Sequence, residues 1–277
     1  MREAWLVGLI NRLYAIPWPI LLTCAIVVTV VVACSAQFAI YRRFGKADFI
    51  RRNEVAGFIT VVGTLYAVVL GFMTVVVWQQ YDTVQTGVAL ETGAVSDTWH
   101  NAVGFPPTVR RQLRVAMQGY AHEMIDVEWP RMRHGGFSVR GDNLIMEATG
   151  TVGSYVPVNG AETNAQAMEL RLLTELHDTR LRRISSNESG LSAFNWIILT
   201  LGAVVVIAFC WLFGTSNPRV HLVMTAAVTI LITSMFVMIF ELQFPFRGDL
   251  GIRSTPWVAL LDHIRYMDRM STMNMRM

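Results

Sequence analysis

Three residues come closest to a catalytic signature. His122, Glu123 and Asp126 read H-E-x-x-D along a stretch of helical periodicity. A zinc-peptidase helix needs two imidazoles one turn apart, so that both ligands share a face. Here the second position is an aspartate and no third ligand is specified. The pattern reads as the polar face of a helix, and no metal is expected there. No glycine-rich phosphate loop, serine elbow or paired cysteine and histidine occurs, so neither a cofactor nor an enzymatic reaction is expected. Cys24, Cys34 and Cys210 all fall in apolar stretches, where a thiol behaves as a small hydrophobe.

The remaining candidates lie inside long apolar runs. Gly63, Ala67 and Gly71 recur at steps of four. Lipid provides no hydrophobic drive for helices to associate, so close approach through small residues matters, and this stripe is the expected helix-packing face. On the adjoining stripe Thr64, Val68 and Phe72 repeat at the same step. Several copies meeting around an axis would bring these three together as a narrow apolar neck, a known gating device. A rival polar path runs through Thr225, Thr229, Thr233 and Glu241, on a four-residue ladder that starts at His221 and has Val237 as its apolar rung. Threonines in spans also bond to their own backbone or to neighbouring helices. Glu241 sits at a span end just before Phe244-Pro245-Phe246-Arg247-Gly248, an interfacial setting with Arg247 as a candidate partner.

The elements that must position these residues follow from composition. Of 277 residues, 53% are hydrophobic and 16% charged, with a mean hydropathy of +0.41. A soluble chain carries about 25% charged residues, so this one lacks the charge to cover a water-facing surface. The net charge is +3 and no basic run interleaves with aromatics, so nucleic acid is not an expected partner. A bilayer core of about 30 Å takes roughly 20 helical residues. Four segments qualify, at 17–41, 55–81, 191–213 and 220–241. The expected fold is therefore all-α: a polytopic membrane protein with four transmembrane helices and a large helical extramembrane domain, 82–188, between helices two and three. Residues 1–16 are expected to form an interfacial helix, from Trp5, Leu6, Leu9, Ile10 and Leu13 at helical spacing, and 242–277 a C-terminal tail. Small residues at Ala33 to Ala36 do not make a signal-peptide site, since cleavage there would discard a whole span.

Short links, Arg42 to Glu54 and Gly214 to Arg219, join the first and second pairs of spans. The long interval breaks at Phe105-Pro106-Pro107. A helix is then predicted from Thr108 to Trp129, stopped by Pro130, and another from Glu162 to Ile184 whose arginine-rich end (Arg180, Arg182, Arg183) suits the helix dipole. Gly135-Gly136, Gly150 to Gly153 and Pro157 to Gly160 are predicted turns. Two criteria for orientation disagree. The dense positives of the first link place it in the cytoplasm, whereas the summed arginines flanking the other ends of the spans place that side there.

Several segments together resemble the bestrophin-like membrane proteins of the DUF4239 group. They are Arg52-Asn53-Glu54, then Leu65 to Phe72, Trp78 and Tyr81, Glu91, Glu128-Trp129-Pro130, Arg180 to Arg183 and Pro245 to Gly248. The order of elements is also similar to that of bestrophin anion channels: two spans, a helical insertion, two spans, assembled as pentamers around the second helix. The resemblance implies a homo-oligomer, a pentamer, in membrane lipid with inorganic anions as its permeant partners, and it places Thr64, Val68 and Phe72 at the neck. It carries no calcium site, because no acidic cluster follows Phe246. The expected location is a cell membrane crossed several times, the bacterial inner membrane. Two functional readings result: an oligomeric ion channel, anion-conducting, with the second helix lining its pore, or a membrane-anchored interaction or sensing protein whose helical domain binds a partner.

Overall fold

The computed structural model describes residues 8, 10–50, 56–188, 190–212 and 217–274, and these fold as helices joined by short turns. The helices are α1 (Trp18–Ile50), α2 (Ala56–Asn101), α3 (Pro107–Glu123), α4 (Trp129–Met132), α5 (Val139–Ser154), α6 (Gly160–Glu188), α7 (Ala193–Leu212), α8 (Pro218–Leu242) and α9 (Thr255–Asn274). Four of them, α1, α2, α7 and α8, are long and apolar enough to cross a membrane. Half of the interfacial helix expected over 1–16 falls outside the described residues; residues 10–14 are helical. Helix starts follow local chemistry. Asn217 caps α8 by accepting the Arg219 amide at 3.0 Å, and Pro218 takes the first position, where no donor is needed.

The chain divides into two compact units. Unit 1 comprises 1–81 and 190–243, and its core joins Tyr66, Leu70 and Val77 of α2 to Leu199, Ala203 and Val206 of α7 and Ile239 and Leu242 of α8. The Tyr66 hydroxyl donates to the Leu199 carbonyl at 3.1 Å, and a Cβ on Gly202 would overlap the Tyr66 ring, so only glycine admits this approach. α1 packs chiefly against α8, with the Thr29 and Thr233 hydroxyls 2.9 Å apart, and Tyr14, ahead of α1, is stacked on Phe240. α1 also runs on to Ile50, so helix occupies most of what the sequence suggested was a link.

Unit 2 comprises 82–189 and 244–277. Residues 242–277 were expected as a tail, but beyond Gln243 they belong to this unit. Trp257, Leu260, Leu261 and Ile264 recur at helical spacing and are buried, so α9 has an apolar stripe to cover. Two further differences have local causes. Gly150 and Gly153 lie inside α5 rather than in a turn, because Ile145, Ala148 and Val152 form a buried face that outweighs two glycines on the exposed side. Pro130 does not stop the helix that begins at Pro107. A π-helical turn, Met124–Glu128, precedes it, with the Trp129 amide reaching back to Met124, and the proline falls in the first turn of the next segment.

Candidate functional site

α2 presents two different faces within unit 1. Tyr66, Leu70 and Val77 are buried against α7 and α8, while Thr64, Val68 and Phe72 are exposed, Phe72 with 67% of its surface free. The three neck candidates thus share one uncovered stripe of a helix whose opposite side is locked. Among the described residues no close neighbour faces Gly63 or Gly71. A Cβ on Gly63 or Gly71 would meet nothing within 4 Å, and Ala67 is exposed. Within the described residues of this unit Gly202 makes a close helix contact, against Tyr66.

The threonine ladder has the opposite placement. Thr225, Thr229, Thr233 and Glu241 are all buried, as is His221, whose Nε2 lies 2.8 Å from the Cys210 carbonyl. Thr229 donates to the Thr225 carbonyl at 2.8 Å, and Thr233 pairs with Thr29. These residues form part of a packed helix seam. The three residues of the H-E-x-x-D pattern diverge. His122 and Asp126 approach to 3.7 Å on an exposed side, while Glu123 is buried and accepts the Ser138 hydroxyl at 2.6 Å.

Unit 2 contains a charge network that sequence reasoning did not assemble. Arg180 forks onto Glu128 at 2.6 and 2.9 Å, reaches Asp142 at 2.8 Å and donates to the Ser138 carbonyl at 2.6 Å. Arg183 holds Glu91 through two bonds of 2.6 and 3.0 Å and Glu128 through a third of 2.8 Å. The Tyr120 hydroxyl donates to Glu91, and the Met124 and Met132 sulfurs lie against the Arg183 guanidinium. A Cβ on Gly141 would sit 2.6 Å from the Arg180 guanidinium carbon, so that glycine leaves room for the fork. Glu91, Glu128 and Arg180 are completely buried.

Burial works against both arginine charges. Tyr120 and Glu128 around Arg180, and Glu91 with Tyr120 around Arg183, more than offset it and hold both guanidiniums above their usual range. Burial, reinforced by Glu91, pushes the Tyr120 phenol well above its ordinary value. With both guanidiniums fixed by two or more partners and Tyr120 bonded to Glu91, the network is suited to holding α2, α3 and α6 in register. The dipole argument for the arginines missed this. A better signal was available: Leu172, Leu173, Leu176, Arg180, Arg183 and Asn187 fall on one buried stripe of α6. An arginine continuing an apolar stripe requires a buried partner.

Part of the family resemblance, Glu91, Glu128-Trp129-Pro130, Arg180 to Arg183 and Pro245 to Gly248, lies in this unit, whereas Leu65 to Phe72, Trp78 and Tyr81 lie in unit 1 and Arg52-Asn53-Glu54 outside the described residues. Trp129 donates its Nε1 to the Ile252 carbonyl at 2.9 Å and meets Phe246 and Trp257 edge-on. Arg247 lies over the Phe244 ring and against Gly135, which adopts φ 80° and so leaves it space.

Residues 27–257 match the Bestrophin-like domain family. The fold is similar to the crystal structure of a bacterial bestrophin homolog from Klebsiella pneumoniae carrying a point mutation, with a TM-score of 0.63 and 11% sequence identity. That likeness covers 86% of this chain and 97% of the other. No curated protein matches. At 11% identity the structural likeness speaks for the fold alone, but the family match runs from the first apolar helix into the start of α9. Together with its four apolar helices, that match shows that the chain is a membrane protein belonging to the bestrophin-like family.

Proposed function

We propose that this protein is the subunit of an oligomeric ion channel in which α2 lines the pore and Thr64, Val68 and Phe72 form an apolar neck. The observation that carries the proposal is the exposed stripe of α2. Thr64, Val68 and Phe72, at steps of four, stand uncovered on a helix whose other side is fixed by Tyr66, Leu70 and Val77. In a lone bundle this face would meet lipid, whereas in a helix shared by several subunits it would turn to the axis. The open small-residue stripe beside it, Gly63, Ala67 and Gly71, offers a neighbouring subunit a close approach. Family membership supports the channel reading, and the resemblance to bestrophin anion channels makes inorganic anions the expected cargo.

The test is ion flux through purified protein in liposomes, comparing chloride and iodide with potassium. Flux that changes on Phe72→Ala, with the oligomer intact by size, is the expected result. Unaltered flux in a conducting Phe72→Ala protein would remove the neck assignment. Repeated absence of flux from folded oligomers would favour the anchored interaction or sensing protein.

A further inference from the structure

Where α2 ends, its last residue meets α6 around a carboxyl group that has no counter-charge. Glu169 of α6 is completely buried. Its Oε2 accepts the Asn101 side-chain amide at 2.6 Å, and its Oε1 has no partner. The same Asn101 amide lies 3.4 Å from the Ala165 carbonyl. The joint is tight: a Cβ on Gly104, in the 3-10 turn that follows α2, would sit 2.7 Å from the Ala165 Cβ. Thr98, one turn back on α2, is also fully buried with an unpartnered hydroxyl.

The charged groups on the elements around this joint are engaged elsewhere or turned outward. On α2, Asp97 and His100 are exposed, and His100 faces His263. On α3, Arg110 donates to the Val103 and Phe105 carbonyls at 3.0 and 3.1 Å, and Arg114 lies over the Trp99 ring. Arg171 on α6 and Glu147 on α5 are exposed. Among the described residues Glu169 enters no ion pair.

An unpaired oxygen is far cheaper to bury on a neutral carboxyl than on a carboxylate. We infer that Glu169 is a proton-operated latch: protonated, it seals the joint between the end of α2 and α6, and ionised, it draws water in and loosens that joint. Burial, only partly opposed by the Asn101 hydrogen bond, raises this carboxyl to about 7, which puts the changeover near neutral pH. The latch is tightest in acid. Between the ordinary carboxyl value of 4.5 and about 7, the opened joint binds fewer protons than the closed one, so opening grows with pH and then levels off.

The test is amide hydrogen exchange of the full chain at residues 102–105 between pH 5 and 8, corrected for intrinsic exchange. The parent should open up to about tenfold more per pH unit, flattening above neutrality. Glu169→Gln, which keeps the Asn101 contact but cannot ionise, should remove this dependence. The same pH dependence in both proteins would overturn the latch. Should Glu169→Gln not fold, infrared or NMR titration of the carboxyl in the parent decides the matter: a midpoint near 7 supports the latch, and one near 4.5 overturns it. Any effect on conduction rests on the channel reading, whereas the exchange result stands or falls without it.

Discussion

The charge network of unit 2 offers the sharpest test of the packing. Arg183→Met replaces the guanidinium with an apolar chain of similar length, in surroundings that already include the Met124 and Met132 sulfurs. Shape is largely kept, but the three bonds from Arg183 to Glu91 and Glu128 are lost. Glu128 retains the Arg180 fork; Glu91, fully buried, keeps only the Tyr120 hydroxyl. Stranding one member of a buried ion pair costs about 3–5 kcal/mol. For a chain of this size that corresponds to a fall of roughly 10 °C in melting temperature. Circular dichroism of the detergent-solubilised protein reads the change. Glu91→Gln should be costly too, and the double variant should be less destabilised than the sum of the two, with a coupling of about 1–3 kcal/mol. An Arg183→Met protein within about 1 kcal/mol of its parent would refute the reasoning, because the buried pair of Arg183 and Glu91 would then contribute nothing to the packing.

Two smaller predictions concern other parts of the molecule. Gly202→Ala should cost about 1–3 kcal/mol through overlap with the Tyr66 ring, and adding Tyr66→Leu should recover part of the loss; undiminished thermal stability of the single variant would contradict that contact. At the start of α6, hydrogen bonds from Tyr155 and the Val158 amide hold the Glu162 carboxyl below its usual range, while the bond to Glu162 pushes the Tyr155 phenol up to about 12. A depressed carboxyl contributes stability above its ordinary value and loses it as pH falls through the depressed one. Tyr155→Phe should therefore move the Glu162 titration upward by NMR, and an unmoved midpoint would contradict the pairing.

The sequence made some of this legible because the signal was long. Runs of about twenty apolar residues need no tertiary information to be read as spans, and all four reappear as apolar helices. Where one local rule competed with another, reading was harder. Glycine punctuation at Gly150 and Gly153 lost to the stripe of Ile145, Ala148 and Val152, and Pro130 was accommodated by a π turn that leaves no composition signal. The last 34 residues carried a legible apolar stripe at Trp257, Leu260 and Ile264, but what it packs against is set by tertiary structure. The exposed stripe of α2 was visible as spacing, although spacing alone does not say which side of a helix its neighbours cover. Glu169 gave no local sign, since its isolation depends on the cations of neighbouring helices being engaged elsewhere or turned outward.

The pairing of α1 with α8 has a consequence for how the protein is made. The Thr29 and Thr233 hydroxyls that meet in this seam are 204 residues apart in the chain. At about 5–20 residues per second, roughly 10–40 s of synthesis separate the emergence of one from that of the other. Throughout that interval the first span resides in the bilayer without the helix it packs against most, and the Thr29 hydroxyl has yet to meet Thr233. The nascent first helix must therefore either face lipid with polar groups uncovered or be sheltered by the insertion machinery until the last span arrives. Biogenesis, more than the stability of the completed bundle, is then the stage at which a change on the polar side of α1 would be felt.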